Sequence, residues 1–314
     1  MSFTYLLLGI FTFVELNCEN LFDCQRDSIK DDTEFTADGM RRWDVHKYWT
    51  KLNNIGKEIL SCGGEGAEWQ LPDIVALCEV ENDSVVRDLT KRSVLRNAGY
   101  EYVMTDSPDE RGIDVALLYS PYTFRLIRHY SLCIGSVKKM RKTRDILYVA
   151  GQTTLGDTLH IYVVHAPSRF GGKRVTNPFR MAVVEKLAES IDSLHQRIKE
   201  PNIIVAGDFN DHHDDESLRL IYSHGVHNIS CLSRGKNGAE GTYKFKGKWE
   251  HIDHILASQK VEKRMVSCHI HDKEFLLETD KQYGGVQPLR TYRGYRYNRG
   301  YSDHLPLVAR FNME

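Results

Sequence analysis

Brief apolar runs, each closed by a glycine or a knot of polar residues, recur along this chain. The clearest is Ile203-Ile204-Val205-Ala206, which ends at Gly207 and is followed by Asp208, Phe209, Asn210 and Asp211. A run that short and apolar at every position suits a strand buried on both faces. Ile74-Val75-Ala76-Leu77-Cys78 is a second, and it runs into Glu79-Val80-Glu81-Asn82. Further strands are predicted over 11–16, 101–105, 113–120, 123–130, 145–150, 158–164, 248–256 and up to Phe311. Helical spacing is rarer. Apolar residues at 48, 49, 52, 55 and 59 predict a helix over 46–60, stopped by Gly63-Gly64-Glu65-Gly66. Another is predicted over 84–98, capped by Asn82 or Asp83. Pro178 opens a longer one, with apolar positions 181, 184, 187, 191, 194 and 198. Residues 25–44 are polar and read as a surface loop. This mixture predicts an α/β (α+β) fold. No repeat, low-complexity tract or Pro/Gly/Ser linker divides the chain, so residues 1–314 read as one domain.

Composition adjusts this picture in four places. Hydrophobic residues at 41% and aromatics at 10% support a sizeable core and exclude disorder. A formal net charge of −1 gives no global basic field, which argues against non-specific coating of nucleic acid but leaves local basic loops open. The seven cysteines (18, 24, 62, 78, 133, 231, 268) are scattered and form no C-x-x-C pair, so neither a zinc knuckle nor a disulfide framework is indicated. They favour a reducing compartment, the cytoplasm over secretion. Residues 1–14 carry no charge but lack a basic n-region and a cleavage site, and are too short to span a bilayer. They read as the lead into a first strand, with residues 1–10 as a remnant signal-like segment the alternative. No membrane span is expected, and a monomer is expected.

Polar residues of one kind stand where the apolar runs stop: Asn17, Glu79, His165, Asp208 with Asn210, and Asp303 with His304. Asp253 sits inside a sixth predicted strand. Strand ends gathered at one edge of an α/β sheet are where such folds place their sites. Glu79, Asp208, Asp303 and Asn17 supply the oxygen ligands that a hard divalent cation such as Mg²⁺ takes. His304 with Asp253 has the make-up of an oriented acid–base pair, and His165 and Asn210 remain as donors toward developing negative charge. Blander readings stand beside these. Asp208 and Asn210 also suit a turn that satisfies its own backbone, and Asp114 also suits a buried pair with Arg111. Asp211-His212-His213-Asp214-Asp215 reads better as a helix start than as a metal box. The basic run Lys138, Lys139, Arg141, Lys142, Arg144 reads as a solvated hairpin. Ser168-Arg169-Phe170-Gly171-Gly172-Lys173-Arg174 follows His165 directly and is better placed for phosphate. The Tyr/Arg stretch 292–301 suits nucleobase stacking and a sugar or inositol phosphate equally.

Taken in order, the motifs Asn-x-x-Asn-Leu-Phe, Pro-Asp-Ile-x-Ala-Leu-x-Glu-Val-Glu, Arg-Gly-Ile-Asp-Val-Ala-Leu-Leu-Tyr, Val-Val-His-Ala-Pro-Ser-Arg, Gly-Asp-Phe-Asn-Asp, His-Ile-Asp-His-Ile-Leu and Ser-Asp-His-Leu-Pro run from about residue 11 to 311. This set resembles the endonuclease/exonuclease/phosphatase superfamily, the pancreatic-deoxyribonuclease-like fold. The resemblance implies a four-layer sandwich, two mixed β-sheets packed face to face with helices on the outside. It implies cleavage of a phosphate ester by metal-activated water, with Mg²⁺ (or Mn²⁺) as cofactor. Glu79 would be the principal metal ligand, helped by Asn17, with Asp303 at a second metal position. Asp208 and Asn210 would handle the attacking water and the phosphate oxygens. His304, polarised by Asp253, would be the catalytic histidine, and His165 would touch the phosphate. Arg111, Arg169 and Lys173 are the candidate substrate contacts. A histidine at 165, where repair nucleases tend to carry tyrosine, speaks against an abasic-site nuclease. The leading expectation is a nuclease acting on DNA or RNA phosphodiesters. A small-molecule phosphatase or phosphodiesterase comes second, and a non-catalytic binding module on the same fold is the alternative of another class.

Overall fold

The computed structural model describes residues 9–64, 69–135, 137–138, 140–154 and 156–312. Residues 1–8 of the signal-like segment, Glu65 and Gly66 of the expected helix stop, and Lys139 of the basic run lie outside the described residues. In chain order the strands are β1 (Ile10–Leu21), β2 (Ile74–Val80), β3 (Glu101–Met104), β4 (Asp114–Tyr119), β5 (Phe124–Leu132), β6 (Ile146–Thr153), β7 (Thr158–His165), β8 (Asn202–Asp208) and β9 (Val226–Asn228). They continue as β10 (Tyr243–Phe245), β11 (Lys248–Glu250), β12 (Asp253–Ser258), β13 (Met265–Ile270), β14 (Leu277–Thr279), β15 (Val286–Pro288), β16 (Tyr292–Arg293), β17 (Arg296–Tyr297) and β18 (Leu307–Asn312). The helices are α1 (Val45–Ser61), α2 (Asp83–Lys91), α3 (Lys173–Arg197), α4 (Glu216–Tyr222) and α5 (Gln259–Glu262).

Two six-stranded mixed sheets carry the architecture, one in the order β13-β18-β1-β2-β4-β3 and the other β5-β6-β7-β8-β12-β9. The alternation of side chains along each strand divides the core in three. Phe13, Ala76, Leu117, Val163, Ile204, Ile255 and Leu307 meet between the sheets. Leu16, Leu77 and Val308 on the outer face of the first sheet pack under Leu52, Ile55 and Ile59 of α1 and Val86 and Leu89 of α2. Tyr162, Val205 and Leu256 on the outer face of the second pack under Val184, Leu187 and Ile191 of α3 and Leu218 and Ile221 of α4. The result is the four-layer sandwich, helices outside and two sheets within.

Three elements differ from their sequence reading. α3 begins at Lys173, ahead of Pro178, which lies inside the helix. The fully buried Arg180 supports this first stretch by donating to Thr176 Oγ1 at 2.8 Å and Lys173 O at 3.3 Å, offsetting the hydrogen bond a proline removes. α2 stops at Lys91, short of 98, where Ser93 N–H turns back to Asp88 O at 2.9 Å. The strand expected over 248–256 is broken at His251-Ile252 into β11, which forms a hairpin with β10, and β12 in the second sheet. All seven cysteines are free. Among the described residues no helix is long and apolar enough to cross a membrane.

Candidate active site

In the second sheet the site follows from register. β7 runs parallel to β8 and β12 antiparallel to it, which sets His165 opposite Asp208 and Asp208 opposite Asp253. His304 arrives on the segment before β18, through a backbone bridge to Tyr243. Its Nδ1 lies 2.8 Å from Asp253 Oδ2, which also accepts from Thr242 Oγ1. The Tyr243 ring stacks on the imidazole at 4.8 Å. Burial alone would lower the His304 pKa, but the charge and hydrogen bond of Asp253, with Asp303 and Asp208 behind them, raise it well above the usual range. Nε2 stays 4.0 Å from Asp303 Oδ1. Asp303 is in turn gripped by Arg290; burial pushes its carboxyl up most, but the charges of Arg290, His304 and Lys51 together keep it below its usual pKa.

The first sheet contributes through irregularity. The pairing of β1 with β2 slips after Asn17, and that of β2 with β4 slips at Glu79. Glu19, Asn20 and Glu79 adopt left-handed backbone, with φ of 50°, 53° and 61°. Side chains that normally avoid this region are held there by the site's own bonds. Asn20 N–H donates to Glu79 Oε2 at 2.8 Å, Glu19 N–H to Asn17 Oδ1 at 3.0 Å, and Asn17 Nδ2 to Asp208 Oδ2 at 3.1 Å. Arg111 donates to Asn20 Oδ1 and stands 3.8 Å from Glu79 Oε1. His165 Nε2 faces both Glu79 Oε1, at 3.8 Å, and Asp208 Oδ2, at 3.7 Å. Burial, followed by the fields of Arg144 and Arg111, holds His165 neutral. Arg144 donates to Ala166 O at 3.0 Å, and Asn210 Nδ2 reaches the same carbonyl at 3.2 Å. Asn210 N–H steadies Asp208 Oδ1 at 2.8 Å.

These acids crowd one buried place. Asp208, Asp253 and His304 each offer a ligand atom within 4.8 Å of the others. Because His304 and Thr242 already engage one oxygen of Asp253, that trio is better described as a dyad beside an acid. Burial and then the charge of Asp253 push Asp208 up to about 7. Asp253 Oδ1 and His165 Nδ1 are buried without a hydrogen-bond partner among the described residues. Repelling carboxylates and orphaned polar atoms in an oxygen-rich setting fit a hard divalent cation.

The expected residues do not all behave alike. Glu79, Asp208, Asn210, His165, Asp303, His304, Arg111 and Arg169 line one cleft of about 920 Å³, with Asn17 and Asp253 bonded to its walls. Arg169 spends its guanidinium on Glu250, with His212 Nε2 at 3.3 Å. Lys173 is paired with Asp215 and lies outside the lining. Arg111 does not pair with Asp114, whose carboxylate accepts from Thr105 and Ser107. Asp211 pairs with Arg180 at 2.7 Å, and Asp215 stands at the N-cap position of α4, without a side-chain capping bond, so 211–215 leads into a helix. Tyr292 and Tyr297 lie against Arg41 and Lys47, away from the cleft. Sequence reasoning missed Thr242, Tyr243 and Arg290, which carry no motif. It also missed Glu15, a fully buried carboxyl with no hydrogen bond among the described residues, raised well above its usual pKa by burial and then by Asp253 and Asp208. Its signal was legible: a lone acid in an apolar run, two positions before Asn17 and so on the same strand face.

Comparison with known proteins places this geometry. A sequence model of the endonuclease/exonuclease/phosphatase family matches residues 12–313. Among curated proteins, none matches the chain in sequence. Solved structures match in fold. An endonuclease/exonuclease/phosphatase family protein from Bacteroides thetaiotaomicron is 14% identical, with a TM-score of 0.63, covering 96% of this chain and 97% of that one. The human Nocturnin catalytic domain with bound sulfate is 18% identical, with a TM-score of 0.57 and coverage of 96% and 94%. A mannosyl-6-phosphatase from Bacteroides thetaiotaomicron is 18% identical, with a TM-score of 0.60 and coverage of 95% and 98%. With a family match across nearly all its length and an acid–base dyad beside clustered carboxylates, the chain belongs to the endonuclease/exonuclease/phosphatase family and is a hydrolase of phosphate esters.

Proposed function

We propose that this cleft uses Mg²⁺ or Mn²⁺ to hydrolyse an ester in which one phosphate joins a compact organic group. Glu79 with Asn17 would hold the ion, and Asp303 stands where a second would be met. When bound, such an ion neutralises charge building on the phosphate oxygens and makes water a better nucleophile. The chain's own residues do the rest. Asp208, its pKa near 7 before any cation binds, accepts a proton from water. Neutral His165 offers Nε2–H to the phosphate. Protonated His304, fixed at Nδ1 by Asp253, presents Nε2 to the charge that develops. The observation that carries this reading is the His304–Asp253 pair set beside Asp208, with Glu79 across His165.

The charge pairing bears on the substrate. In the cleft lining Arg169 is spent on Glu250 and Arg141 on Glu110, and Lys173 beside it is spent on Asp215, which weakens a cationic track for a polynucleotide. A nuclease is the second reading, favoured by Phe170 and Phe245, 92% and 51% exposed on residues that line the cleft, where bases could stack. The test is hydrolysis of an aryl phosphodiester, of sugar and inositol phosphates, and of single-stranded and duplex nucleic acid, each with and without chelator at two salt concentrations. Turnover of compact esters that chelation abolishes and salt barely changes is expected. Activity indifferent to chelator would sink the metal reading. Efficient, steeply salt-dependent cleavage of nucleic acid would install the nuclease reading instead.

A further inference from the structure

A second pocket, of about 790 Å³, opens on the outer face of the first sheet, and none of its lining residues is shared with the catalytic cleft. Its walls are the last turn of α1, the edge strand β13 and the loops around 236 and 273, and Arg310 of β18 lines it as well. The buried Nε of Arg310 has no hydrogen-bond partner, and the guanidinium forms no hydrogen bond or ion pair among the described residues. Arg310 is half-buried, and an Nε–H buried without an acceptor is costly.

The ordinary explanation would be that Arg310 caps the C-terminus of α1. The helix's last carbonyls are already taken: Glu58 O by Ser61 Oγ at 2.7 Å, Ile59 O by Cys62 N–H at 3.1 Å, and Leu60 O by Trp69 Nε1 at 2.8 Å. Nor does an acid in the lining serve. The Asp272 carboxylate accepts backbone N–H groups from Lys236 at 2.7 Å, Asn237 at 2.7 Å and Ala239 at 3.1 Å, and Glu274 is exposed. His269 also lines the pocket, and its ring makes no hydrogen bond among the described residues. Its pKa is lowered by burial and then by Arg310 and Lys236, two positive charges converging on one imidazole. Positive charge, a guanidinium Nε without an acceptor and a roomy, half-polar pocket together describe a receptor for an oxyanion.

We propose that this pocket is a second, non-catalytic site for a phosphoryl group, with Arg310 as its anchor and Lys236 and His269 as supporting donors. The ligand is free phosphate or a compact phosphate monoester, and the site is independent of hydrolysis in the cleft.

The test is calorimetric titration of the full chain, stripped of metal by chelator, with inorganic phosphate and separately with glycerol 2-phosphate, against sodium chloride at equal ionic strength. Saturable phosphate binding that chloride does not mimic is expected. Arg310→Met should weaken it at least roughly tenfold, the scale of a lost hydrogen bond to a charged group, while Glu79→Gln, in the other cleft, leaves it unchanged. Lys236→Glu, on an exposed loop, should weaken it comparably and covers the case in which Arg310→Met fails to fold. Competition between the two probes would show that the phosphoryl group is read, and phosphate alone binding would show a site for the free ion. No binding at millimolar phosphate, binding lost in Glu79→Gln but kept in Arg310→Met or Lys236→Glu, or equal displacement by chloride would overturn the proposal.

Discussion

The two sheets supply the cleft by opposite means. In the second, β7, β8 and β12 are regular, and His165, Asp208 and Asp253 fall abreast because strand register leaves them no other place. In the first, β1 and β2 break register at Asn17 and Glu79, and three non-glycine residues hold left-handed backbone to aim their side chains. Regular pairing places a dyad member and its neighbours rigidly. Bulged pairing stores strain that site contacts must offset. The contrast predicts that the regular half is intolerant of any change in backbone spacing, whereas the irregular half responds chiefly to whether a residue accepts positive φ.

The largest effect expected lies in the dyad. His304→Ala should lower kcat by roughly 10²–10⁴, the usual worth of a positioned acid or base. Asp253→Ala should approach it, and the double variant should be little worse than the poorer single, since the pair acts as a unit. Losses that add in log rate would show two independent roles. Next is Gly207→Ala, at φ 145° on β8, where a new Cβ would sit 1.8 Å from Val164 O. We expect a loss of about 3 kcal/mol in denaturant unfolding, and a change under 1 kcal/mol would refute the claimed rigidity.

His254, opposite Gly207 on the neighbouring strand β12, offers a pH test. Its Nε2–H donates to Asp211 O at 2.9 Å and its Nδ1 accepts from Asn228 Nδ2 at 3.0 Å, a pairing that requires the neutral ring. Burial lowers its pKa from 6.5 to about 4. Below pH 6.5 the unfolded chain binds a proton that the fold refuses. Stability should therefore hold above that pH and fall by on the order of 2–3 kcal/mol as pH drops toward 4. His254→Gln should flatten this part of the unfolding profile, and an unchanged slope would exonerate His254. The smallest effect tests the irregular half: Asn20→Val, forcing a β-branched residue to φ 53°, should cost about 1–2 kcal/mol, while Asn20→Gly stays within about 0.5 kcal/mol of the parent. Equal stabilities would mean the left-handed backbone carries no strain.

What could be read in the chain follows the same division. Apolar runs such as 203–206 and 74–78 announced buried strands, and the polar residues that close them, Asp208 and Glu79, were legible as strand-end residues; that His165 lies opposite Asp208 depends on a strand register that only the fold sets. The bulges could not be foreseen, since a one-residue slip depends on partners distant in sequence: Glu79 is held by Asn20, and Asn17 by Asp208. Thr242 and Tyr243 were invisible because β10 becomes part of the site only through its bridge to His304. The α3 start was misread because the buried support from Arg180, seven residues on, outweighs the signal of Pro178.

β1 lies between β18 and β2, with Ile10 opposite Asn312, and Ser302 Oγ closes onto Asn17 O across 285 positions of sequence. Thr291 N–H likewise reaches Glu19 Oε2 at 2.6 Å. During synthesis, therefore, the first strand emerges long before its neighbour β18 exists, and the bulge that shapes this wall of the cleft has no anchor until residues 290–304 leave the ribosome. Contacts of such span are formed late and slowly. The enzyme thus acquires this wall of its cleft only once residues 290–304 are available, so a chain truncated before them should not hydrolyse phosphate esters, and the onset of turnover marks the closing of β1 against them.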